Sequence, residues 1–200
     1  ERAGIYSIKI LLYASSGKYD EAVNTGILAL GRLGMKIPAH PAKADYIKEM
    51  ITYIWNMRNK KIEDLVNLPE LTDPVQKKIA ELLSRLSSVT MSTHPDLYSY
   101  IIMKTGNHAT SHGNSYMTSV GYFGYSFTMG IILGNYKTGG RLANVCIELA
   151  EKYGHSASQC IIYFVIGSFI VHWNQHLSKA LEYMEKAIQH GKEAGDVLIM

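Results

Sequence analysis

The stretch GKYDEAVNTGILAL, Gly17 to Leu30, decides how the chain is read, because it returns twice in altered form. GNYKTGGRLANVCI starts at Gly134 and QHLSKALEYMEKAI at Gln175. In the shared frame Tyr19, Tyr136 and Leu177 coincide, and three residues on a small residue recurs as Ala22, Gly139 and Ala180. Seven further, Ala29, Cys146 and Ala187 precede Leu30, Ile147 and Ile188. Ala22 and Gly139 lie 117 residues apart and Gly139 and Ala180 lie 41 apart, so a period of 39 to 41 fits three units into the first gap. That length is one helical hairpin with a long turn, the unit of a stacked repeat array.

Outside the repeats the periodicity is also helical. Val75, Ile79, Leu82, Leu83, Leu86 and Val89 recur at three- and four-residue steps, a spacing that only a helix places on one face. Sustained two-residue alternation is absent, so essentially no strand is expected. The apolar run from Ser156 to His172 predicts one buried helix. All five prolines lie in the first half. Pro41, Pro74 and Pro95 follow His40, Asp73 and His94, which predicts proline in the first turn of a helix, with Asp73 as a cap.

Composition narrows the function. A chain of 200 residues, 47% hydrophobic and 18% charged, folds rather than staying disordered. Its net charge of +3 is dispersed, with no basic run to grip nucleic acid. Ile161 to Val171, the longest apolar stretch, is about half of a membrane span. Cys146 and Cys160 have no paired spacing, which argues against a disulfide framework or a thiolate zinc site and fits a reducing cytoplasm. The chain opens on Glu1-Arg2 and stops at Ile199-Met200 inside a continuing pattern, so it reads as a fragment of something longer.

Tyr13, Gly17, Tyr19, Ala22 and Ala29 match the preferred residues of a tetratricopeptide repeat, and the first unit resembles that family strongly. The resemblance implies an all-α, right-handed α-α superhelix of about five hairpins in a single domain, residues 1–200. Its clearest units are 3–34, 116–154 and 157–195, and its middle, 41–113, diverges around the insertion IEDLVNLPELTDP. It further implies that Ala22 and its equivalents sit where paired helices touch, that Gly17 makes the turn, and that Tyr19 wedges between neighbours. The run from GRLGMKIP to VIGSFIVHWNQHLSKAL is similar to the repeat region of large signalling proteins that carry kinase-like and ATPase modules before the repeats and a histidine kinase after them.

In such a stack the concave face is lined by the first helix of each hairpin. Carried onto this sequence, that lining includes Ser7, Arg85, Val89, Tyr125, Thr128, Val165, Phe169 and His172, with Trp173 near the rim. The expected function is non-catalytic docking of a peptide, a neighbouring domain or a second copy, a homodimer included. A structural spacer between ATPase and histidine kinase is the alternative, and small-molecule sensing around Tyr125, Phe169 and Trp173 a third. An apolar lining favours a docked partner or pocket, and a charged one the spacer.

Three motifs that suggest chemistry read better as packing. Gly134 to Arg141 begins like a phosphate-binding loop but lacks its lysine and its preceding strand, and Gly139 falls where Ala22 and Ala180 fall. GHSAS, from Gly154, has Ser158 where a nucleophile elbow needs glycine, and Ser156 reads as a helix cap. His108 and His112 share a helical face as zinc ligands do, yet Ala109 stands in the catalytic-glutamate position and no third ligand is evident, so solvated or capping histidines are expected. There is no HRD, no DFG, and no phosphoacceptor context around His155. No enzyme activity, cofactor or metal is expected of this segment. The run SVGYFGYSFTMGIILG, Ser119 to Gly134, carries glycines at mostly helical spacing and predicts a helix thinned for close contact.

Overall fold

A computed structural model describes residues 2–195. The ending at Ile199-Met200 lies outside the described residues. The helices are α1 (Arg2–Ser15), α2 (Tyr19–Arg32), α3 (Lys43–Met57), α4 (Pro74–Thr93), α5 (Pro95–His112), α6 (Ser119–Phe127), α7 (Tyr136–Tyr153), α8 (Ser156–Phe169), α9 (Val171–Asn174) and α10 (Ser178–Ala194). Among the described residues there is no strand, only an isolated parallel bridge between Glu70 and Asn114.

Each helix packs on its successors. α1 and α2 pack together and both rest on α4; α4 packs on α5, α5 on α6, α6 on α7, both of these on α8, and α8 on α10. Four pairs result, α1/α2, α4/α5, α6/α7 and α8/α10, with α3 laid against α5. The expected fifth hairpin does not form. Residues 58–73 make a 3-10 turn, Glu63–Asn67, and then an extended strap instead of a partner for α3. Leu65 and Leu71 are both buried, and six residues apart they would lie on different faces of a helix. Asn114 fastens the strap: its Nδ2 donates to the Leu65 carbonyl at 2.7 Å, its backbone N–H donates to the Pro69 carbonyl at 2.8 Å, and its Oδ1 accepts from the Tyr122 hydroxyl at 2.7 Å.

Where a cap or turn dictates local structure, the chain follows its sequence signals. Gly17 takes φ +70° in the α1/α2 turn, and Asp73 caps α4 by accepting the Gln76 N–H at 2.8 Å ahead of Pro74. Pro41, however, lies outside its helix, since α3 starts at Lys43 after an Ala42 cap. Ala22, Gly139 and Ala180 are buried as the frame requires, but Tyr19 is 44% exposed. The predicted helix from Ser156 to His172 ends at Phe169. Ile170 leaves helical geometry at φ −118°, and the chain re-enters as the short α9, which turns Trp173 onto Tyr136.

The glycine run makes the close contacts that the sequence predicts, but not as one helix: α6 ends at Phe127, and Gly130 lies in a π-turn, Thr128–Ile132. A Cβ on Gly121 would lie 2.5 Å from Gly106 N, one on Gly124 2.3 Å from the Ile102 carbonyl oxygen, and one on Gly139 3.0 Å from Gly130 Cα. Backbones of α5, α6 and α7 therefore touch without side chains between them. No described helix is long and apolar enough to cross a membrane.

Candidate functional site

A groove of about 410 Å³ opens between α4, the turn before α6 and the start of α8. α4 contributes Glu81, Ser84, Arg85 and Ser88; the turn before α6 contributes Tyr116 and Met117; the first turns of α8 with its cap contribute His155, Ala157, Ser158 and Ile161. In the heptad-like rhythm of α4, Leu82, Leu86 and Val89 face the core, which turns Glu81, Arg85 and Ser88 outward into the groove.

Arg85 is the least satisfied group in it. Its Nε is buried without a hydrogen bond, and Glu81 Oε1, 3.7 Å away, attracts it but is too distant to accept one. Glu81 is occupied elsewhere, bonded by Lys78 Nζ at 2.6 Å and by the Ser7 hydroxyl. Partial burial pushes the Glu81 carboxyl up, but those two bonds and the Lys78 and Arg85 charges outweigh it and hold the group below its ordinary value. Across the groove the His155 ring stacks on Tyr116 at 4.1 Å and 16°. His155 Nδ1 accepts the Ser158 N–H at 3.4 Å, so His155, and not Ser156, caps α8. Burial, then Glu81, raises the Tyr116 phenol and keeps it protonated.

The other sequence-selected residues scatter. Ser7 reaches the groove through Glu81, and Val89 is buried beside it. Tyr125 is fully buried, donating its hydroxyl to Asn107 Oδ1 at 2.7 Å, and so cannot line a groove. Thr128 and Val165 are buried as well, Thr128 donating to the Gly124 carbonyl at 2.8 Å. Phe169 packs with Phe127 and Phe123 at centroid distances of 6.1 and 6.2 Å. His172 and Trp173 lie on α9, where Trp173 stacks on Tyr136 at 4.8 Å. Ala157 and Phe169 sit at opposite ends of α8, roughly 18 Å apart at the helical rise. Tyr125, Phe169 and Trp173, expected to project toward one concavity with Arg85 further along it, therefore do not meet in a groove: Tyr125 is in the core, and the break after Phe169 turns Trp173 onto Tyr136, because the register fixes which helix a residue is on but not which way a broken helix turns.

The motifs set aside as packing have defined local roles. Gly134, at φ +70°, ends a π-turn, Thr128–Ile132; Asn135 caps α7, and Arg141 pairs with Glu63 of the strap at 2.7 and 2.8 Å. Ser158 donates its hydroxyl to the Tyr116 carbonyl at 2.6 Å. His108 is not solvated: it is buried, with Nε2 3.0 Å from Gln76 Oε1, and burial, then the charges of His112 and Lys104, push it down to about 4. Among the described residues no three metal-binding side chains cluster.

Sequence reading missed the Tyr116–His155 wall, whose members are 39 positions apart with no local pattern to join them. It also missed α3, which buries Glu49 and Tyr53 and exposes Ile47, Ile51, Ile54 and Trp55, with the Arg58 guanidinium 3.5 Å over the Trp55 ring. The stripe itself was visible in the sequence, but it points to core when the opposite face carries the glutamate. Comparison with known protein families, with curated proteins and with solved structures finds no match to this chain.

Proposed function

We propose that this chain is a tetratricopeptide-like docking segment of a larger signal-transduction protein of the ATPase and sensor-kinase type, with no catalysis of its own, and that the groove between α4 and α8 holds a polypeptide segment bearing an acidic residue. The reading of a repeat superhelix is supported by the order of packing, in which each pair rests on the next through its second helix. The docking reading is carried by one observation, the buried Arg85 Nε with no acceptor at the edge of an open groove. A guanidinium whose Nε lacks a hydrogen bond, held only loosely by Glu81 at 3.7 Å, is what a second carboxylate completes. Tyr116, Met117 and Ile161 supply apolar area beside it, although the lining as a whole is more polar than a purely apolar pocket. The spacer alternative gains from that polarity and from the backbone contacts of α5 with α6, which stiffen the stack.

Fluorescent decapeptide pools with either aspartate or lysine fixed at the central position separate these readings. Saturable anisotropy with the aspartate pool alone, lost in Arg85→Met at unchanged melting temperature, supports docking. Equal behaviour of both pools, or binding indifferent to Arg85→Met, overturns it and leaves the spacer.

A further inference from the structure

Helix α3 is built inside out. The side it lays on α5 is held by polar groups: Glu49 accepts from Lys104 and Asn107, and Asn56 donates to Thr110. Its outer side holds Ile47, Ile51, Ile54 and Trp55, at 60%, 61%, 60% and 64% exposure. Their steps of four, three and one residues place them in a single stripe along the helix. α3 is an interior element, with the described residues 33–42 before it and 58–73 after it, and neither segment folds back over the stripe.

The charge around this helix is as uneven as its apolar surface. From Gly34 to Ile62 the chain carries six cations, Lys36, Lys43, Lys48, Arg58, Lys60 and Lys61, against Asp45 and Glu49, whereas the rest of the chain holds 14 cations against 15 carboxylates. Both of those carboxylates are engaged: Asp45 accepts the Ala42 N–H at 2.8 Å, and Glu49 is buried against Lys104. Glu63, at the start of the strap that follows, is taken by Arg141. Lys43, Lys48 and Arg58 are exposed beside the stripe, and the Arg58 guanidinium lies 3.5 Å over the Trp55 ring. The net positive charge of the whole molecule is therefore gathered around its most exposed apolar helix.

We propose that the outer face of α3 lies on an anionic lipid surface, with Ile47, Ile51 and Ile54 among the upper acyl chains, Trp55 at headgroup level, and Lys43, Lys48 and Arg58 on lipid phosphates and carboxylates. An aliphatic stripe with an aromatic edge and a cationic rim is the pattern of a helix lying in the bilayer interface. Shape separates this occupant from a protein helix. Of the described helices only α5 packs closely on α3, so no second helix stands beside the stripe to form the groove that seats a partner helix. A bilayer needs only a convex ridge. This surface is separate from the groove between α4 and α8 and does not rest on the docking reading.

Flotation of the 200-residue chain with phosphatidylcholine vesicles, with and without phosphatidylserine, tests the proposal. At low salt the chain should float with the phosphatidylserine vesicles alone and be released as salt is added. In Trp173→Phe, which leaves Trp55 as the one indole, the emission should shift to the blue as the ring leaves water. Ile51→Glu should abolish both signals, and Lys48→Glu should weaken binding roughly tenfold. Melting temperature should hold in each, since both side chains are exposed. Leu133→Glu, exposed elsewhere on the molecule, should bind as the parent chain does. A chain that floats with no vesicle overturns the proposal, as does binding indifferent to lipid charge or to Ile51→Glu, or lost equally in Leu133→Glu. A chain that ignores vesicles but binds an acidic amphipathic helical peptide through Ile51 overturns it in favour of a protein-docking face.

Discussion

Helix α5 is held on two sides by opposite means. Toward α6 the contact is made by absence: Gly106, Gly121 and Gly124 let backbone touch backbone, with Ile102 and Thr105 directly against the facing chain. Toward α3 it is made by charge. Glu49, 2% exposed, accepts from Lys104 Nζ at 2.6 Å and from Asn107 Nδ2 at 2.7 Å, and Asn56 Nδ2 donates to Thr110 Oγ1 at 3.0 Å. The first seam selects its partner by shape, since any side chain is too large. The second selects by satisfaction, since any partner lacking the right polar atoms leaves a buried charge alone. α5 buries nearly its whole circumference between them.

The difference predicts how each seam breaks. A single methyl should be enough at the glycine seam. Gly124→Ala places Cβ 2.3 Å from a carbonyl oxygen that cannot rotate away, so α6 must separate from α5 and the loss should reach about 4 kcal/mol or more, read as a collapse of the urea midpoint. Gly31→Ala in α2, with nothing within 4 Å, is the control and should be neutral or stabilising by up to about 1 kcal/mol. Equal effects at the two glycines would mean that α5 and α6 do not approach this closely.

The charged seam should yield less. Glu49→Ala removes the acceptor of Lys104 and of Asn107 Nδ2, but Lys104, 23% exposed, can swing to water, so the expected loss is roughly 2 to 3 kcal/mol. Lys104→Met should cost less in the Glu49→Ala background than alone, because the ion pair is already gone; a strictly additive double mutant would show that the pair is not coupled.

These seams were unequally legible. The glycines announce themselves, since Gly121, Gly124 and Gly130 recur at helical spacing in a run too apolar to be a loop. The α3 seam did not, because Glu49 among Ile47, Ile51 and Ile54 reads as a solvated residue on the outer face, and only the acceptors and donors of α5, some fifty positions away, invert that reading. The groove was half legible for the same reason. Arg85 follows from the register of α4, whereas Tyr116 and His155 meet across a fold-level distance that no spacing encodes. Tyr125 was mistaken for a groove residue because a tyrosine on a first helix carries the same letter whether its hydroxyl ends in water or on a buried amide.

Tyr125 joins the two seams, which makes it the finest test of the comparison. Its ring lies over Gly106, where an added Cβ would come within 2.7 Å of Cε1, so it belongs to the glycine seam. Its hydroxyl donates to Asn107 Oδ1 at 2.7 Å, and the other end of that amide binds Glu49, so the hydroxyl belongs to the charged seam. Burial holds the phenol well above its ordinary value and keeps the donor protonated. Tyr125→Phe keeps the ring and strands Asn107 Oδ1, which should cost about 1 to 1.5 kcal/mol. Set in a Glu49→Ala background the same change should cost less, since the amide has already lost its carboxylate anchor and is free to turn. If thermal melts instead show an undiminished penalty there, the hydroxyl acts through packing against α5 alone, and the division between a seam of shape and a seam of charge fails at the residue that spans both.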